Sequence, residues 1–250
     1  MSGHRSWECS FFMPNRFERR AIKLLVERWD AVGNQFGRLK MPCARPNDGY
    51  QIFSLIAPQR TAGEIGFEIK PVVFNLPERA NGEAVLFVVV RGKLYFDEAA
   101  IKQNVLRTLD FATEAAYFRK KADELEHVYG AHYDFARNEV GHPAFHAQMK
   151  SFAERFHQVT SAFEMTCTSK DLVDGVLRTV RLPSAQMDFF SFILQLCADH
   201  LIDKNSGPEE LSAFRDLKSA SAEIKGAAFL VPWLAKPAAQ ACLRANHWYS

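Results

Sequence analysis

Nowhere in this 250-residue chain do eighteen uncharged apolar residues run together, so no membrane-spanning helix is expected. The opening stretch MSGHRSWECSFFMPNRFERR has neither an uninterrupted apolar core nor a small-residue cleavage site, and no signal peptide is expected. Cysteine is sparse: Cys9, Cys43, Cys167, Cys197 and Cys242 are odd in number and scattered, with no Cys-x-x-Cys pair. That pattern argues against a cysteine zinc centre or a thioredoxin-type dithiol and suits a reducing cytoplasm. Glycine forms no Gly-x-Gly-x-x-Gly or Walker-type phosphate loop, which speaks against nucleotide-binding Rossmann and P-loop proteins. A Gly-x-Ser-x-Gly elbow and a Pro-Cys-x-x-Cys deaminase motif are missing too. Charge of one sign is not in excess. With 31 basic and 29 acidic residues, the net +2 gives no general footprint for nucleic acid. Arg16, Arg19, Arg20 and Lys23 cluster, as do Arg119, Lys120 and Lys121, but these read as solvated faces or strand ends.

What the chain does hold is phenylalanine, 21 of 250, against six tyrosines and four tryptophans. An aromatic-rich core is the plain reading, because such side chains dominate burial. A helix is expected from Asn15 to Val32. Asn15 caps it with Glu18 in capping-box position, Phe17, Ala21, Leu24, Leu25, Trp29 and Val32 form its apolar face, and Gly33 and Gly37 close it. Met41 to Asp48 reads as a loop. Strands follow: Tyr50–Ala57, then Glu64–Lys70 with Ile65, Phe67 and Ile69 on one face, then Val72–Leu76 after a bend at Pro71. Ala84–Val90 reads as a central strand, turned at Arg91-Gly92 into Lys93–Phe96 as a hairpin. Val105–Lys120, Glu126–Ala136 and Pro143–Met149 complete the β-rich part.

Beyond Lys150 the pattern turns helical. Ser169–Thr179, Ser184–Ile202 with Ser184 as N-cap, Glu209–Lys225 and Trp233–Trp248 are the expected helices. One α+β domain spanning residues 1–250 is therefore expected. Its mainly antiparallel sheet has about six or seven strands in a β-rich part of about 50–150. An N-terminal helix and a helical C-terminal part of about 165–250 pack on one face.

The chemistry concentrates in His132-Tyr-Asp134 and His142-Pro-Ala-Phe-His146-Ala-Gln148, three of the eight histidines within fifteen residues. Period-two alternation places His132 and Asp134 on one strand face, and His146 and Gln148 together on the next. If the strands pair, these side chains become cross-strand neighbours about 5 Å apart, with His142 at the loop mouth. Three readings stay open. His132, Asp134, His142 and His146 could bind a zinc or manganese ion that activates water. His132 and His146 could instead serve as general acid and base on a phosphodiester, with Asp134 fixing a tautomer. The third reading is structural: Asp134 caps the loop and the histidines hydrogen-bond the backbone. Arg181 is a candidate anion contact, or the partner of Asp188 or Asp174. Asp199 and His200 are candidates to extend the cluster.

His-Tyr-Asp-Phe, Gly-His-Pro-Ala-Phe-His-Ala-Gln and Arg-Leu-Pro-Ser-Ala-Gln-Met-Asp together resemble a bacterial hypothetical-protein family of unknown function, over residues 105–202. The resemblance brings no activity. It implies a bacterial cytoplasmic protein and, by analogy, a defence or mobile-element system. Two functions are expected to compete: a non-catalytic accessory subunit that binds another protein through an exposed apolar surface, and a small hydrolase or nuclease. No membrane partner is expected.

Overall fold

The computed structural model describes residues 14–44, 49–56, 63–77, 85–135, 145–173 and 181–226. Helix α1 runs from Arg16 to Arg38, with the expected reciprocal box between Asn15 and Glu18. It does not stop at Gly33. Gly33 and Phe36 are both buried in the helix, so its apolar stripe continues for another turn and a half, and packing outweighs the low helix propensity of glycine.

The sheet is built from β1 (Cys43–Ala44), β2 (Phe53–Leu55), β3 (Glu64–Pro77), β4 (Val85–Asp97), β5 (Thr108–Lys121), β6 (Glu124–Phe135), β7 (Phe145–Met149), β8 (Thr168–Asp171) and β9 (Arg181–Pro183). Its main path is β1-β3-β4-β5-β6-β7-β9, with β2 on β3 and β8 on β6. Among the described residues these strands pair antiparallel except β6 with β8, and Arg107 and Lys225 add an isolated parallel bridge. The expected bend at Pro71 is a register shift between Ile69 and Val72 within one long strand. A proline lacks the N–H a ladder needs, and a bulge accommodates that.

Three expectations are corrected. Arg91-Gly92 is no turn, because β4 runs straight through it and pairs with β5 over its whole length. The strand expected at Tyr50–Ala57 is present only as β2, after a short 3-10 turn at Gly49–Gln51, and Ala57 lies outside the described residues. The helix expected at Ser169–Thr179 begins as β8, while 174–180 lie outside the described residues. Short α2 (Glu98–Lys102) and α3 (Phe156–Ala162) were not anticipated. The helix expected at Trp233–Trp248 lies outside the described residues.

Helix α4 spans Phe189–His200, one turn later than Ser184 would start it: the Ser184 amide still donates to Phe145 O of β7 after β9, and its hydroxyl donates to Ala185 O. Its cap is Asp188, which is buried and accepts from the Phe190 and Ser191 amides, the Ser191 hydroxyl and Gln186 Nε2. Asp188→Ala is expected to cost about 2 kcal/mol, the upper end of a cap deletion, since four donors lose their acceptor at a buried site. Urea denaturation compares the two proteins directly.

The pleat sends alternate residues to two faces. On one, Ile65, Phe67, Phe74, Val88, Val90, Leu94, Phe111, Ala115, Ala131 and Tyr133 pack under α1, α4 and α5 (Pro208–Ala222). On the other, Val73, Phe87, Val89, Ala116, Phe118 and Leu125 pack under α3, with Phe152, Phe156 and Phe163. Among the described residues most phenylalanines are buried in these two cores, as their number suggested.

Candidate functional site

The α3 face is apolar only along half the sheet. Beyond Ala116 its rows turn polar. In one, Arg91, Glu114, His132, Gln148 and Arg181 occupy successive register positions across β4, β5, β6, β7 and β9. In the next, Lys93, Ala112, Asp134 and His146 do the same. The cross-strand geometry expected for the histidines is therefore met: His132 pairs with Gln148 and Asp134 with His146.

Asp134 stands between two imidazoles. His132 Nε2 lies 3.0 Å from its Oδ2 and His146 Nε2 lies 2.9 Å from its Oδ1. His146 is 5 % exposed, His132 17 % and Asp134 32 %, so the group is sunk in the sheet with its carboxylate outermost. Burial alone would raise the Asp134 carboxyl. The hydrogen bond from His132 and the charges of His146, His132 and Lys150 outweigh it and hold the carboxyl below its ordinary value. His132 Nδ1 is buried and has no hydrogen-bond partner among the described residues.

Two imidazoles and a carboxylate are an acceptable donor set for zinc or manganese. Here, though, each Nε2 faces a different oxygen of one carboxylate, and no three His, Cys, Asp or Glu among the described residues are arranged to hold a metal ion. His142 lies outside the described residues. Asp199 and His200 do not join the group. They sit at the end of α4, across the sheet, where Asp199 acts on Tyr117 and Tyr133. Asp188 serves α4 as its cap, with Gln186 as its side-chain neighbour.

Charged neighbours complete the face. Glu114 takes Arg91 Nε at 3.1 Å and Arg155 at 3.4 Å, the latter reaching over from the turn before α3. Arg91 also approaches Glu68 at 3.9 Å. Lys93 is exposed beside them.

A second imidazole–carboxylate pair is not evident from the sequence. His127, fully buried on the same face of β6, sets Nδ1 3.0 Å from Asp171 Oδ1, and Ser151 Oγ donates to Asp171 Oδ2. An odd separation from His132 puts His127 on the opposite face by simple alternation. A bulge at residue 128 reverses that, since Phe118 pairs with His127 while Tyr117 pairs with Tyr129.

The large hydrophobic side chains exposed among the described residues are Tyr50 in the 3-10 turn, Leu172 just after β8, and Leu211 on α5. The apolar patch expected of a binding surface is not found among them. Among the described helices, none is long and apolar enough to cross a membrane. No family model, curated protein or solved structure matches this chain.

Proposed function

We propose that this protein is a non-catalytic subunit that binds another protein, and that the polar half of the α3 face is its binding surface. The observation that carries this is the internal pairing of that surface. Arg91 and Arg155 are held by Glu114, and His132 and His146 by Asp134. A general acid or base must offer an atom to the substrate. The His132 Nε2 faces Asp134, its Nδ1 is buried, and a carboxylate held below its ordinary value is a poor base. Partly exposed charges fixed by cross-strand partners instead present a rigid polar pattern, which confers specificity more than raw affinity.

The test uses a photo-crosslinking residue at Lys93, inside the surface, and at Leu211 on α5 as control. A discrete adduct in the native host from position 93 alone is expected. Equal labelling from both positions, or none from either, overturns the proposal.

The second reading is a phosphodiester hydrolase, in keeping with the convergence of His132, Asp134 and His146. It requires cleavage of bis(p-nitrophenyl) phosphate or single-stranded nucleic acid that disappears in His132→Ala and His146→Ala. Its metal-assisted form requires about one zinc or manganese per chain, lost in the same variants. Turnover of this kind would replace the binding reading.

A further inference from the structure

We infer that β8 is a detachable strand, latched onto the first half of β6 by the His127–Asp171–Ser151 network, and that it opens independently of the rest of the sheet. The network is separate from the polar surface above.

Strand β8 differs from its neighbours in what holds it. It is paired in parallel, Glu124 with Thr168 through His127 with Asp171, in a sheet whose other pairings are antiparallel. All four of its side chains, Thr168, Ser169, Lys170 and Asp171, are exposed, so it brings no apolar group to either core. Core strands gain their stability from such burial, and a strand without it relies on its backbone bonds and polar ties. Its ladder is short, and at the two ends Thr168 N donates to Asp123 O and Leu172 N to His127 O, both at 2.9 Å.

Asp171 supplies the side-chain anchor. One carboxylate receives His127 Nδ1 from β6, the Ser151 hydroxyl from the segment after β7, and the Val173 amide from its own chain at 3.1 Å. Three stretches of chain therefore meet on one exposed acid. His127 is sealed beneath, against the Phe118 ring, with its Nε2 buried and without a hydrogen-bond partner among the described residues, so Asp171 is its side-chain partner there. Strand β7 covers only Ala131–Phe135 of β6. Lifting β8 accordingly bares Glu124–His127 as a pairing edge. It also frees Ser151, two residues past the strand that carries His146 and Gln148.

Hydrogen exchange read by mass spectrometry on the full chain tests this. In Asp171→Ala, peptides covering 124–128 and 168–173 are expected to exchange at least tenfold faster, while peptides of β3, β4 and β5 keep wild-type protection. Ser151→Ala removes one tie only and is expected to move the same two segments by less. It also supplies the test if Asp171→Ala fails to fold. Unchanged exchange in both segments overturns the inference, as does loss of protection spreading through β3–β5, which would make β8 integral to the sheet.

Discussion

Asp134→Ala is expected to lower the unfolding free energy by about 3 kcal/mol, a large effect for a residue outside both apolar cores. The carboxylate is the common partner of His132 and His146, and those rings are mostly buried. Deleting it strands the His132 Nε2 N–H that it accepts, at roughly 1–3 kcal/mol for a group left without a partner, and takes away the carboxylate 2.9 Å from His146 Nε2. Partial exposure of Asp134 keeps the total near the lower end of the roughly 3–5 kcal/mol that breaking a buried pair costs. Asp134→Asn, which keeps one acceptor, is expected to cost about half as much. His132→Ala should cost less than Asp134→Ala, and the double variant should fall well short of the sum, because both changes remove one shared interaction.

The same residue sets an acid limb. A carboxyl held low in the folded state contributes stability that is fully present above its unfolded value and is lost as pH falls through its folded one. The gap between wild type and Asp134→Asn should therefore shrink in acid and close below about pH 4. Urea midpoints across that range measure it. A gap that instead widens in acid would show that Asp134 is not the stabilised anion of the group.

Period-two alternation was enough to bring His132, Asp134, His146 and Gln148 together, because β6 and β7 pair without a bulge between Ala131 and Phe135. The same rule fails a few residues earlier. The extra residue at 128 inverts the parity, and in Glu-His-Val-Tyr-Gly only Gly130 hints at it, without fixing which residue is extra. Asp171 was hidden for another reason: a strand with four exposed side chains carries no alternation, and Ser-Lys-Asp-Leu-Val-Asp suits a helix start as well. Likewise Arg155 reaches Glu114 from a turn that no local pattern ties to β5. What the sequence encodes locally is which face a side chain takes; which chain segment lies across from it depends on the tertiary register.

Gly92 shows the cost of reading one residue without that register. A glycine after arginine between two apolar runs suggests a turn. In the structure it lies mid-strand in β4, opposite Ile69 on β3 and Thr113 on β5. A Cβ built there would fall 2.2 Å from the carbonyl oxygen of Ala112 and 3.2 Å from Thr113 Cα. Both are backbone atoms in the centre of the sheet's longest pairings, so no rotamer change relieves the overlap. Strands β4 and β5 would have to separate, or the ladder lose bonds. Gly92→Ala is thus expected to destabilise by about 3 kcal/mol or more, the severe end of overpacking. Gly37, inside α1, is the contrast: nothing lies within 4 Å of the place a methyl group would take there. At that position the helix should gain about 0.5–1 kcal/mol from Gly37→Ala. Opposite signs for one chemical change, read by urea denaturation of both variants, would establish that close backbone approach, and not turn formation, demands glycine at position 92. If Gly92→Ala proves as mild as an ordinary surface change, the tight β4–β5 contact at this point is wrong.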